Sequence, residues 1–347
     1  MKHYQGISLI EALLAVLLSA ILLGGIWPMF TAIIRSYHLQ EAMASLQSNG
    51  RFVMDFLSRE IRMAGFTGCL EQDGIRSVIT SRDTSRQWMT LPADIGVMGY
   101  DTGRSGAGLI DSKATSPALV ISRILRENSY PVSSYIDSAG TIQLLHSHNF
   151  DSGDLLALGD EQCQKIGIFK AGDETQGNRI RYQVDDGQSL HNCGRLFNNE
   201  TGCLKNKTIS VVRSNSLWLS PVETMAYYIR NSNGQPVLYR KRAGLSASGR
   251  SLSAEALVEG IESLHFLYGL DDNDDGTVDQ YVSAQTLGDK DDQWKKVTGV
   301  RLEVVFRSLQ PVLEQPQHYF FAKKTVAPSD HYLRYVMVRT VAIRNQL

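Results

Sequence analysis

Asp271, Asn273, Asp275 and Asp279 place side-chain oxygens at the first, third, fifth and ninth positions of a short loop, with Gly276 sixth and Thr277 seventh. That spacing suits a Ca²⁺ loop. Calcium takes about six to eight oxygens, the glycine permits the sharp bend, and the seventh residue offers its carbonyl. The twelfth position is Val282, where a bidentate Glu would complete the set, and β-like residues follow instead of a helix. Asp289, Asp291 and Asp292 lie near enough to supply a further ligand. Two readings stay open, a Ca²⁺ site and a solvated acidic turn, and no other cofactor is expected.

Four cysteines, Cys69, Cys163, Cys193 and Cys203, are an even number without a CxxC pair. They read as two disulfides in an oxidising space, in any of three connectivities, and not as a zinc site. Catalytic patterns are lacking: there is no HExxH and no phosphate-binding Walker loop, and the stretch 244–249 has Ser where a nucleophile elbow needs its second glycine. The glycines of 103–108 lack the order and the strand-to-helix setting of a phosphate cradle. His146 and His148 stand two apart at the end of an expected strand, an ordinary surface pair. No catalytic residue is assigned, and the chain is read as a non-enzyme.

The remaining chemically pointed residue is Glu11. From Ala12 to Ile34 there is no charged side chain, and as a helix rising about 1.5 Å per residue this run spans the roughly 30 Å hydrocarbon core of a bilayer. A carboxylate at such a place costs about 2.5 kcal/mol or more, so it needs a partner. Cleavage after Gly6 would create one, the α-amine of Ile7 on a neighbouring chain. Beyond Arg35 the pattern turns amphipathic: Leu39, Met43, Leu46, Val53, Leu57 and Ile61 recur at helical spacing. The rod therefore runs to about Met63, on the order of 85 Å from Ile7. Pro28 and Gly50 are its expected weak points, since each is unfavourable inside a helix.

Net charge is −1 over 347 residues, and the basic residues are dispersed, so nothing suggests nucleic acid as a partner. Residues 70–117 are rich in Gly, Ser, Thr, Arg and Asp without periodicity and read as surface loop. Strands are expected over 118–122, 141–145, 154–158, 165–169 and 217–219, and as a hairpin over 223–230 and 237–242. Tyr227, Tyr228 and Tyr239 fall on that hairpin as cross-strand pairs. Further strands are expected over 256–270 and 333–343, and Val300, Leu302, Val304 and Phe306 alternate with Arg301, Glu303, Val305 and Arg307 as a half-buried strand. The fold class is α+β: a long hydrophobic then amphipathic helix packed on a large, mainly antiparallel, β-rich head. The divisions are 1–6, 7–35 and 36–63 for the leader and the two halves of the helix, and 64–347 for the head.

Gly6-Ile7-Ser8-Leu9-Ile10-Glu11 resembles the class III leader junction of type IV pilins and pseudopilins. The resemblance implies cleavage after Gly6 by a prepilin peptidase and N-methylation of Ile7, although the usual first residue is Phe. It also implies a filament helix kinked near Gly24, Gly25 and Pro28. The segment 51–69, closing on Ala64-Gly65-Phe66-Thr67-Gly68-Cys69, is similar to the PilW family of minor pilins, as are Val258-Glu259-Gly260-Ile261-Glu262 and the terminus Thr340 to Asn345. In that family a strand, Cys, strand arrangement follows mid-domain. This implies Cys69–Cys163 and leaves Cys193–Cys203. The resemblance further implies a structural subunit held single-pass in the bacterial inner membrane with its head in the periplasm. It would pass from there into a surface pilus, near the tip, alongside other minor pilins, the major pilin and a large tip adhesin. Two other readings are a GspJ-like pseudopilin of type II secretion and a membrane-tethered calcium-binding adhesin.

Overall fold

A computed structural model describes residues 8–69, 74–103, 105–136, 139–196, 216–244, 252–288 and 291–346. Helix α1 (Leu9–Arg62) runs through Gly24, Gly25, Pro28 and Gly50 without interruption, about 80 Å at the usual rise. Gly50 is buried where the helix meets the head, and a Cβ there would sit 2.7 Å from Met337 Sδ, so a larger residue would require that side chain to shift. The amphipathic stripe packs from Leu46 onward, with Val53, Met54, Leu57 and Ile61 buried, while Leu39 and Met43 remain more than a third exposed.

After Arg62 the chain turns on Gly65, whose backbone is left-handed (φ 72°). Its N–H donates to Ser122 O at 3.0 Å, and a Cβ on Gly96 would lie 2.4 Å from Gly65 N. The approach is therefore backbone against backbone. Residues 74–117 are not a surface loop: they hold β1 (Ile75–Ser77), β2 (Ile79–Ser81), β3 (Val97–Tyr100) and α2 (Ala107–Ile110). Trp88, Met89, Ala93 and Ile95 are buried among them. Elements of three or four residues are too short to display a period, which is why composition alone misread them.

The next strands are β4 (Ala118–Ile124), β5 (Tyr130–Ile136), β6 (Thr141–Leu144), β7 (Leu155–Asp160), β8 (Ile166–Lys170), β9 (Arg179–Arg181) and β10 (Leu190–Asn192). They surround β11 (Leu217–Ser232), a single strand that joins the two runs expected separately. Its first part pairs with β5 and β7, and from Val222 it pairs with β4, so Pro221 falls where the partners change. β12 (Gln235–Arg242) closes the hairpin with Tyr228 opposite Tyr239, and β13 (Glu255–Glu259) adds to it. Both Tyr227 and Tyr228 are fully buried. This eleven-stranded sheet is antiparallel except where β1 meets β8.

A second, four-stranded sheet has the order β15-β14-β16-β19, from β14 (Ile261–Leu270), β15 (Gln280–Val282), β16 (Val297–Pro311) and β19 (Tyr332–Ala342). Short helices α3 (Ala284–Leu287) and α4 (Asp291–Trp294) precede β16, and the hairpin β17 (Tyr319–Phe321)–β18 (Lys324–Val326) follows it. β16 departs from simple alternation: Glu303 and Val305 are buried as well as Leu302 and Val304. The β17–β18 hairpin covers that face, its Ala322 N–H donating to Glu303 Oε2 at 3.1 Å. The lower half of α1 packs on β16 and β19, and one continuous apolar core joins the helix to both sheets. The architecture is thus a long helix on a large, mostly antiparallel head.

Candidate assembly site on the amino-terminal helix

Two halves of α1 meet different surroundings. From Leu9 to Ile34 its large apolar side chains are all exposed, Leu9 at 80% and Trp27 at 71%, and nothing in the described head covers them. This is the one described helix long and apolar enough to cross a membrane. Cβ atoms at Gly24 and Gly25 would meet nothing within 4 Å, so no contact among the described residues demands glycine there. Pro28 has no N–H for the Gly24 carbonyl, and its own carbonyl accepts from Thr31 Oγ1 at 2.9 Å. Gly6 and Ile7 lie outside the described residues.

The helix begins with a closed capping box. Ser8 Oγ accepts the Glu11 N–H at 3.2 Å and Glu11 Oε2 accepts the Ser8 N–H at 2.9 Å. Glu11 is thereby already engaged within its own chain through one oxygen. The signal for this was in the sequence, as Ser followed three residues later by Glu before an apolar run.

The lower half is fastened at two levels. On β19, Arg339 Nη1 donates to Asp55 Oδ1 at 2.5 Å and to Ser58 Oγ at 3.3 Å. At the end of α1, Arg123 of β4 lies between Glu60 and Glu223 of β11, with its Nε 2.9 Å from Glu223 Oε2 and Nη1 3.4 Å from Glu60 Oε1. Tyr227 completes the set, its hydroxyl donating to Glu60 Oε2 at 2.8 Å. All three charged side chains are less than 20% exposed. Burial pulls the Arg123 guanidinium down, but the Glu60 and Glu223 carboxylates outweigh it and hold the pKa above its ordinary value. Burial first, and then the Glu60 carboxylate, push the Tyr227 hydroxyl far above the usual tyrosine range, so it stays a donor. This network joins residues more than sixty positions apart, and no local spacing announces it.

Cys69 and Cys163 are joined, Cα to Cα 5.6 Å, across 94 residues, tying the turn after α1 to the β7–β8 connection. Cys193 follows β10, its N–H donating to Val78 O at 2.8 Å; Cys203 lies outside the described residues. His146 is exposed, while the His148 ring stacks on Phe150 and its Nδ1 accepts the Phe150 N–H. The two histidines form no joint site.

The acidic loop closes on its own backbone. Asp271 Oδ1 and Oδ2 accept from the N–H groups of Asp275 and Gly276 at 3.1 and 2.7 Å, and Asn273 Oδ1 accepts from Asp275 N at 3.0 Å. Asp279 Oδ2 accepts from Asp272 N at 2.9 Å. The Thr277 hydroxyl and N–H bond to Asp275 and hold its carboxyl below the usual range. Gly276 has φ 81° at the sharp bend. Asp289 lies outside the described residues, and Asp291 and Asp292 sit on α4. Among the described residues no three His, Cys, Asp or Glu side chains gather as a metal would require. In this conformation the loop is a hydrogen-bonded turn.

An apolar amino-terminal helix long enough to cross a membrane, carried on a mainly antiparallel head, defines a helix-plus-sheet class of protein and is consistent with membrane association. Within the head, residues 226–345 match the family model of Type IV Pilus-assembly protein W, PilW. Over that span, from within β11 to the carboxy-terminal turn, the chain is similar to that family. The match takes in Val258 to Glu262 and Thr340 to Asn345, and does not reach the leader or the turn after α1. No curated protein and no solved structure matches the chain.

Proposed function

We propose that the chain is a minor pilin, a structural subunit that works by being cut and packed. Prepilin peptidase cleaves after Gly6 and Ile7 is methylated. The exposed half of α1 holds the subunit in the inner membrane with its head in the periplasm, and later packs against the helices of the major pilin and other minor pilins. The observation that carries this reading is the apolar half-helix with no cover among the described residues: sixteen large exposed apolar side chains from Leu9 to Ile34 need lipid or a protein neighbour. A head of roughly 280 residues is bulky for a repeating shaft, which favours a place at or near the tip, where it helps to start assembly beside a large adhesin.

The test is mass spectrometry of the mature amino terminus together with a deletion. Methylated Ile7 in the membrane fraction and in sheared surface pili, and loss of pili on deletion, are the expected results. An intact Met1 in cells that express the peptidase would overturn the processing step. A deletion that leaves pili intact but blocks release of secreted proteins would make the chain a GspJ-like pseudopilin instead.

A further inference from the structure

The four-stranded sheet ends on β19, and among the described residues no strand pairs with its far side. The backbone orientation of that edge can be read from Arg334, whose N–H donates to Gln317 Oε1 at 2.7 Å and whose carbonyl accepts from Gln317 Nε2 at 3.1 Å. Arg334 thus turns both backbone groups outward, and one side-chain amide stands in for a neighbouring strand. Register with β16 is unbroken from Arg334 to Ala342. The period of two therefore directs the N–H and C=O groups of Val336, Val338 and Thr340 to the same outer edge, beyond the reach of Gln317.

Open edges are normally guarded by shortness, charge, proline or bulges. The other sheet edges here follow that rule: β1, β3, β9 and β15 have three or four residues, and β13 carries exposed Glu255 and Glu259. β19 is eleven residues long. Its outward positions past Arg334 carry only Val336, Val338 and Thr340, with Val338 52% exposed, and its nearest cation, Arg339, is turned to Asp55 on the helix.

We propose that this edge receives an extended strand from a different subunit of the same assembly, adding a fifth strand beyond β19. The proposal rests on the pilin reading above. A second copy of this chain is the wrong occupant. Antiparallel pairing of β19 with itself about Val338 needs a two-fold axis normal to the sheet, and α1 lies along one face of that sheet. The two helices would then run in opposite directions and could not insert alike into one membrane. The incoming strand is uncharged and β-branched or aromatic opposite Val338, with carboxylates beside it, because the nearby exposed charges are basic. Arg301 lies opposite Thr340, and Lys323 and Lys324 stand at the hairpin tip that bonds Glu303, the residue opposite Val338.

Photocrosslinking in intact cells tests it, with the full-length chain carrying the crosslinker at position 338 or, as an exposed control on another sheet, at 136. Adducts from 338 that mass spectrometry maps to a strand of another leader-bearing subunit, and that are absent from 136, are expected. Val338→Pro removes an outward donor without touching the β16 ladder, and Val338→Lys places a charge on the edge. Each is expected to keep normal membrane levels and reduce surface pili by roughly tenfold or more, the scale of one hydrogen-bonded pair. A self-adduct, no adduct, or full piliation by both variants overturns the edge. A deletion that leaves piliation intact overturns the pilin reading instead, and the identity of the 338 adduct then still decides the edge.

Discussion

Arg123→Met removes the cation that holds the end of α1 to the larger sheet, and its cost follows from what stays behind. Glu60 and Glu223 are 13% and 19% exposed. Without the guanidinium they face each other across the space it filled, with Tyr227 as the remaining donor to Glu60. Breaking a fully buried pair by removing one partner costs about 3–5 kcal/mol. The residual exposure lets water reach these carboxylates, which reduces that to about 2–3 kcal/mol. For a chain of this size 1 kcal/mol moves the melting point by about 2–4 °C, so a fall of roughly 5–10 °C is expected. The assay is thermal unfolding of the purified full-length chain in detergent, followed by circular dichroism. Adding Glu223→Gln to Arg123→Met removes one stranded charge and should recover part of the loss, a coupling of about 0.5–3 kcal/mol. A melting point for Arg123→Met within about 2 °C of wild type, or strict additivity in the double variant, would show that the network does not fasten the helix.

Loss of the Cys69–Cys163 link by Cys69→Ser frees a loop of 94 residues. The entropy of closing it is worth about 4–5 kcal/mol, so the melting point should drop by about 10 °C or more, and an unchanged one would refute this. Asp330 is held at a pKa of about 2, below its ordinary 3.8, chiefly by hydrogen bonds from Arg334. That stability is present above pH 3.8 and is lost as the pH falls through 2. Because Asp330 is more than a third exposed, it amounts to about 1 kcal/mol after solvent screening. Denaturant unfolding should show Asp330→Asn weaker than wild type at pH 6, with the gap closing by pH 2; a constant gap counts against the pair. Melting the chain in calcium and in chelator decides between the two readings of the acidic loop: an unchanged melting temperature makes it a hydrogen-bonded turn, and a rise of several degrees with calcium that Asp271→Ala abolishes puts a cation there.

The parts of this fold that could be read from sequence are those with a period. The uncharged run of α1, the stripe from Leu46 to Ile61 and the apolar runs of β4, β11 and β19 each extend over several turns or pleats, so hydrophobic pattern alone locates them. What escaped lacks a repeat or lies far apart in the chain. β1 to β3 are too short to show one. Val305 and Glu303 looked half exposed until the β17–β18 hairpin covered them, and that cover depends on residues fifteen or more positions away. The contact of Gly50 with Met337 escapes sequence reading because propensity counts only the helix, whereas that approach involves both partners. The Ser8 and Glu11 box is local and legible in the sequence, because Ser followed three residues later by Glu is the spacing that closes it.

That box bears on the proposed pairing of Glu11 with a neighbouring chain. A carboxylate has two oxygens. Oε2 takes the Ser8 N–H, which leaves Oε1 able to face a neighbour's α-amine, so capping and charge pairing are compatible and can be separated by substitution. Glu11→Gln keeps an acceptor for the cap, as glutamine does in such boxes, but discards the charge. Ser8→Ala removes the hydroxyl acceptor at a cost of about 1 kcal/mol and keeps the charge. If the charge is what recruits the neighbour, Glu11→Gln should be cleaved normally yet fail to enter pili, while Ser8→Ala should assemble near wild-type levels. Immunoblots of sheared pili against membrane fractions give the ratio directly. The reverse pattern, with Glu11→Gln assembling and Ser8→Ala failing, would make the first turn of the helix, and not its charge, the requirement.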